Sequence, residues 1–261
     1  MLVDTHCHLF LMEEEPAAAA AAARASGVGA MVCCGVDAES SRRSRELADG
    51  LEGVFASAGV HPYDAASFDA ATGSAIEELL ADPRVVAVGE TGLDHFRVHS
   101  PPEDQERAFR THCGLARESG KALVVHVREA WPDALRVLGE EDVGTVVLHC
   151  FSGDVHVASE AAARGYFCSF AGNLTYPTSE HLRAAAAALP VDLILTETDS
   201  PYLPPQAMRG TPNAPANVSE VVGAIAEARG RPRDEVEAAL WANAIRAFGL
   251  PGGDLATPPA G

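Results

Sequence analysis

Short apolar runs recur along the chain at 2–8, 28–36, 54–61, 85–90, 122–126, 144–149, 166–170 and 192–199. Each is too brief for a buried helix, and glycines flank many of them, so they read as β-strands. Helix-favouring stretches fill the gaps, Ala-rich at 16–26 and 179–189. Ser26-Gly27, Ser119-Gly120 and Arg164-Gly165 each precede a strand, where glycine closes a helix C-terminus. Asp37 and Asp154 follow the second and sixth runs and are expected N-caps. Strand, loop, helix, glycine, strand, eight times over, predicts the α/β class and a (β/α)8 TIM barrel. Two additional C-terminal helices are expected at about 215–229 and 232–248, packed outside the barrel. An all-helical fold is the competing reading. Run length, flanking glycines and the β-rich Leu123-Val124-Val125 and Val146-Val147-Leu148 weigh against it. The 261 residues suit one barrel, so residues 1–250 are read as a single domain. The Pro-, Gly- and Ala-rich tail Pro251 to Gly261 is expected to be disordered.

The polar residues that end these runs change the picture. The first run carries His6 and His8, the fourth stops at Glu90, the fifth at His126, the sixth at His149 and the eighth at Asp199. In a parallel barrel these positions share the C-terminal rim, where active sites are built. Alternation along a strand puts His6 and His8 on one side with Cys7 opposite. Asp4 is expected to share their face, either orienting a ligand histidine or bonding to backbone. The same parity aligns Val124 with His126, Val147 with His149, and Leu195 and Glu197 with Asp199. Two cations held about 3.5–4 Å apart need a bridging anion. A carboxylated lysine is excluded, because the sole lysine, Lys121, starts the fifth strand at the far end of the barrel. Glu90 is the natural bridge. The assignment gives one divalent ion His6, His8, Glu90 and Asp199, and a second Glu90, His126 and His149. Such ions lower the pKa of water toward ~7, and Asp199 is placed both to ligate and to accept that water's proton. Imidazole-rich sites suit Zn²⁺ or Mn²⁺, and the carboxylates also admit Mg²⁺. His61, ending the third run in Gly59-Val60-His61-Pro62, is assigned to substrate or a bound phosphate. His95, His99, His112, His156 and His181 lie in loops or helices and receive no site role.

Composition narrows the partners. A net charge of −18 is the opposite of the basic stripe that grips long duplex nucleic acid. Cys7, Cys33, Cys34, Cys113, Cys150 and Cys168 form no metal-like or disulfide-like spacing and read as reduced, buried thiols. No charged leader or membrane-length apolar stretch is present, so a soluble, cytoplasmic protein without membrane contact or an obligate protein partner is expected.

The segments V-D-T-H-C-H-L, G-V-H-P, G-E-T-G-L-D, G-K-A-L-V-V-H-V-R-E-A, V-L-H-C-F-S-G, T-E-T-D-S-P-Y-L and R-G-T-P-N-A-P-A-N-V, spanning residues 3 to 218, resemble the TatD family of metal-dependent deoxyribonucleases. The resemblance implies a TIM-barrel phosphoesterase of the amidohydrolase type. Its metal ligands fall on His6, His8, Glu90, His126, His149 and Asp199, and its activity is exonuclease-like attack on DNA ends. The chain departs from the family pattern at Tyr63-Asp64, at His95-Phe96 and around Met208 to Pro215, departures that the resemblance places in substrate-contacting loops rather than in the metal shell. Arg128 and Arg209 are the candidate phosphate contacts, since a guanidinium fork matches phosphate oxygens. Tyr202 and Phe96 are candidates to stack a base. Gly153 and Gly172 are weaker candidates for a backbone anion contact. The leading reading is hydrolysis of single-stranded or frayed DNA ends. The alternative is a carboxylic ester hydrolase on the same site, a D-aminoacyl-tRNA deacylase or lactonase. An inactive metal-binding scaffold is a third reading, and the complete ligand set speaks against it.

Overall fold

A computed structural model describes residues 1–251; the expectation for the tail lies, beyond Pro251, outside the described residues. Eight strands, β1 (Leu2–Cys7), β2 (Val28–Cys34), β3 (Val54–Ala58), β4 (Val85–Asp94), β5 (Ala122–Arg128), β6 (Val146–Leu148), β7 (Phe167–Phe170) and β8 (Ile194–Thr196), form one parallel sheet in sequential order. The ends meet beyond β8: Asp199 N–H donates to His6 O at 2.9 Å and His8 N–H to Ser200 O at 2.8 Å. The result is a (β/α)8 TIM barrel. The connecting helices are α1 (Pro16–Ala25), α2 (Ala38–Gly50), α3 (Ala70–Leu80), α4 (Pro102–Ser119), α5 (Trp131–Glu141), α6 (Val155–Ala163) and α7 (Glu180–Ala188), followed by α8 (Val218–Arg229) and α9 (Arg233–Phe248). Both expected caps are present. Asp37 Oδ1 accepts from Ser40 N–H at 2.7 Å, and Asp154 Oδ1 accepts from His156 and Val157 N–H at 2.9 and 3.0 Å. Gly120 ends α4 at φ +66°, a conformation that favours a residue without Cβ.

The barrel interior is filled by Val3, Ala30, Val32, Phe55, Val124, Val147, Phe167 and Leu195, a cluster separate from the larger one between sheet and helices. The interior cluster continues into Ala244, Ala247 and Phe248 of α9 and Leu250. Asn243 Nδ2 donates to Val191 O and Ile194 O, both at 2.8 Å, which ties α9 to the start of β8. Thus α9 does not join the outer ring of helices. It seals the N-terminal mouth of the barrel, while α8 packs beside α7. Lys121 lies at that same end, donating to the carbonyls of Asp82 and Val85.

The register between neighbouring strands shifts at four places, and two of these bear on the site. Asp4 pairs with Met31 and Cys7 with Cys33, so three steps along β1 match two along β2. Val88 pairs with Leu123 and Thr91 with Val125, again three steps against two. An extra residue in one strand re-aims the side chains beyond it. In β1, Thr5 faces the interior with its hydroxyl 3.2 Å from Ser169 Oγ, and its neighbour His6 also turns inward to stack on His149. In β4 the extra residue falls at Gly89-Glu90. β4 also runs four residues past Glu90, to Asp94, farther than the hydrophobic pattern predicts. Among the described residues no helix is long and apolar enough to cross a membrane.

Candidate metal centre

The C-terminal rim gathers all six predicted donors. Glu90 lies between two sets of imidazoles and turns one oxygen to each. Its Oε2 is 3.3 Å from His6 Nε2 and 3.9 Å from His8 Nε2, with Asp199 Oδ1 3.5 Å from His8 Nε2 and 3.9 Å from His6 Nε2. Its Oε1 is 2.9 Å from His149 Nε2, 3.0 Å from His126 Nδ1 and 3.4 Å from His61 Nε2. Three overlapping groups have donor atoms within 4.8 Å of one another: His6, His149 and Asp199; His6, His8 and Glu90; and His61, Glu90 and His126.

Partners on the outer side of three rings fix their orientation, while the buried His6 Nδ1 meets no partner. His8 Nδ1 donates to Cys34 O at 2.8 Å, and His149 Nδ1 to Glu197 Oε1 at 3.1 Å. His126 is reversed: its Nε2 is 3.3 Å from Asp94 Oδ2, so Nδ1 faces the centre. A neutral imidazole with one nitrogen donating outward presents a lone pair on the other. His6 Nε2 and His8 Nε2 converge to 3.2 Å, and His126 Nδ1 and His149 Nε2 to 3.3 Å. Facing lone pairs at such distances are the arrangement a cation satisfies. His61 differs. Tyr63 N–H donates to His61 Nδ1 at 3.1 Å, so the proton of the neutral ring sits on Nε2, aimed at Glu90. Burial pushes the pKa of His61 down to about 3. Despite its grouping with Glu90 and His126, its tautomer makes it a hydrogen-bond donor rather than a ligand.

Electrostatics keep the two carboxylates of the cluster ionised. Burial would raise Glu90, but the imidazoles of His149, His61, His6 and His126 around it hold its carboxyl well below the usual range. Burial likewise opposes ionisation of Asp199, and the His8, His149 and His6 imidazoles beside it outweigh that. Asp199 has φ +55° and is fixed there by its N–H to His6 O and by Tyr202 N–H to its own carbonyl, at 2.9 and 2.8 Å.

Two members of this arrangement were not assigned from sequence. Glu197 shares strand parity with Asp199, yet nothing in the sequence gives it a partner; here it accepts from His149 and from Cys150 N–H at 2.8 Å. Asp94 lies four residues past Glu90, with Oδ1 accepting from Phe96 and Arg97 N–H at 2.9 and 2.7 Å. Asp4, in contrast, reaches no imidazole. The extra residue in β1 removes it from the face of His6, and its carboxylate accepts from the N–H of His6 and Thr198 and from the Thr198 hydroxyl.

A cavity of about 630 Å³ opens over the centre, lined among others by His61, Tyr63, Arg97, Arg128 and Tyr202. Arg209 is exposed and does not line it; its guanidinium lies 4.8 Å from the Tyr176 ring centroid. Phe96 stands beside the cavity and Met208 lies in a short 3₁₀ turn away from it. A larger groove of about 1030 Å³ between α7 and α8 contains none of the donors.

A parallel (β/α)8 barrel whose rim carries clustered imidazole and carboxylate donors defines the class of metal-dependent barrel hydrolases. The chain matches the family TatD related DNase over residues 3–249 and belongs to it. It is 38% identical over 259 residues to an uncharacterised metal-dependent hydrolase, TatD, of Mycobacterium tuberculosis, covering 95% of this chain and 98% of that protein. It is 35% identical over 234 residues to the 3′-5′ ssDNA/RNA exonuclease TatD of Klebsiella pneumoniae, covering 87% and 89%. The crystal structure of YjjV, a TatD homologue from Escherichia coli K12, superposes with a TM-score of 0.90 at 30% identity, covering 96% of this chain and 98% of the other.

Proposed function

We propose that the protein is a dinuclear, divalent-metal-dependent phosphodiesterase that trims single-stranded or frayed DNA ends in the cytoplasm. The observation that carries this reading is the position of Glu90, one oxygen toward His6, His8 and Asp199 and the other toward His126 and His149. These residues would hold two ions with Glu90 between them, and the outward bonds of His8, His126 and His149 support lone pairs directed at the centre. When bound, the ions supply positive charge that acidifies water and polarises a phosphoryl oxygen. Asp199 accepts the proton of the attacking water. The Nε2–H of His61 donates to a phosphoryl oxygen at the cavity floor, and Arg128, at the cavity wall, neutralises a second oxygen. Glu197 and Asp94 keep the His149 and His126 rings from rotating. The exonuclease name of the Klebsiella relative supports nucleic acid as the substrate.

The ester-hydrolase alternative keeps some weight from the charge of −18 and from a cavity lined by only two cations, Arg97 and Arg128. One panel separates the two. Protein reconstituted with Mn²⁺, Zn²⁺ or Mg²⁺ is assayed on end-labelled single strands, single-stranded circles, aryl phosphodiesters, D-aminoacyl-tRNA and lactones, with metal content measured in parallel. The proposal expects about two equivalents of metal and cleavage of linear strands. A ceiling of one equivalent overturns the bridged pair, and ester hydrolysis without any phosphodiester cleavage moves the assignment to the alternative.

A further inference from the structure

The segment following β4 holds a feature the metal chemistry does not use. Phe96 is 53% exposed, the one phenylalanine of the described residues left so open. It does not flap. Asp94 Oδ1 accepts from the N–H of Phe96 and of Arg97, and His95 N–H donates to Arg128 O at 2.9 Å. One face of the ring is covered by the Arg128 guanidinium, 4.1 Å from its centroid. Arg128 in turn lines the cavity, and among the described residues its guanidinium N–H groups meet no acceptor. Arg45, Arg110 and Arg136, by comparison, are each held by carboxylates. An exposed aromatic ring backed by an arginine with free donors presents a π-face and phosphate-binding N–H groups side by side.

Resting on the phosphodiesterase reading above, we propose that Phe96 and Arg128 form a stacking platform for one nucleobase of a single strand next to the scissile phosphate, with Arg128 on the phosphate between. The platform favours single strands, because bases inside a duplex are already stacked on both faces. It is insensitive to base identity, since every base has a π-face. Its backbone hangs on Asp94, which also holds His126, so the platform is fixed relative to the metal centre.

The test combines a protein change with a substrate change. Metal-loaded wild type, Phe96→Ala, Phe96→Trp and Tyr202→Ala are compared on oligonucleotides with one abasic nucleotide moved stepwise from each end. Phe96→Ala should raise KM for the intact strand about tenfold with kcat changed less than about twofold. One abasic position should cost the wild type the same factor and cost Phe96→Ala nothing more, while Phe96→Trp retains the wild-type response. Losses that multiply at every position, or sensitivity abolished by Tyr202→Ala instead, overturn the platform. If the wild type cleaves no strand, the phosphodiesterase reading fails separately, and fluorescence of a 2-aminopurine strand decides the platform: quenching lost in Phe96→Ala upholds it, and no quenching by wild type overturns it.

Discussion

Asp199 is the carboxylate of the centre that solvent can reach: its side chain is 14% exposed, against 4% for Glu90 and 0% for Glu197 and Asp94. That accessibility, more than its acidity, suits it to take a proton from water entering the cavity. Asp199→Asn keeps one ligand oxygen but no longer accepts a proton, so kcat should fall by about 10²–10⁴-fold with metal content largely retained. Near wild-type turnover at full metal occupancy would remove Asp199 from that role. Glu197 acts one bond further out. Glu197→Gln leaves the His149 ring less firmly held, and affinity for the ion on that side should drop by about 10–100-fold, read by competition with a chromophoric chelator. An unchanged affinity would make the contact incidental. The convergence of these six side chains was legible in the sequence because few residue types bind metals and each sits at or just beyond the end of an apolar run. Glu197 and Asp94 were not, because a carboxylate that orients an imidazole from another strand has no local pattern. Nor could sequence give the tautomer of His61, which a backbone N–H determines.

Elements carry the next set of constraints. The eight runs and their helices were readable from length, glycine punctuation and capping aspartates. The extra residues in β1 and β4 were not, because strict alternation fits the same letters until the neighbouring strand sets the register. The role of α9 was hidden for a similar reason. Its apolar face matches a helix lying on a surface, and only tertiary contact shows that the surface is the open bottom of the barrel. Phe248 is 4% exposed there, so Phe248→Ala should cost about 3–5 kcal/mol in chemical unfolding while the surviving folded fraction keeps its metal affinity. A parallel loss of metal binding by the folded fraction would mean that the two mouths are coupled. His112 of α4 joins that helix to the chain beyond β3: its Nε2 accepts from Val60 N–H at 3.0 Å and its Nδ1 donates to Ala108 O at 2.7 Å. Burial lowers its pKa from 6.5 to about 4. Between those values the unfolded chain takes up a proton that the folded one refuses, so stability is intact above pH 6.5 and declines as pH falls toward 4. The loss from this group is about 3 kcal/mol. His112→Gln, which keeps a donor and an acceptor without titrating, should flatten the decline; an acid limb identical to wild type would assign it elsewhere.

At the scale of the whole molecule, a charge of −18 leaves little with which to track a polyanion. If only the ions and Arg128 engage phosphates, about three are neutralised, and log affinity for a single strand should fall with log salt at a slope on the order of 2 or less. Linear strands should then be cut well before closed circles. A steep slope with equal cutting of circles would reveal a long groove. The seal at the opposite mouth has a consequence for how the molecule is made. Strands β1 to β8 are complete by Thr196, yet the floor of their shared interior comes from residues 244–250, some fifty positions later. A nascent barrel still lacking those residues would hold an apolar well open to solvent. Helix α9 is therefore the element that would end its exposure to chaperones and to other growing chains.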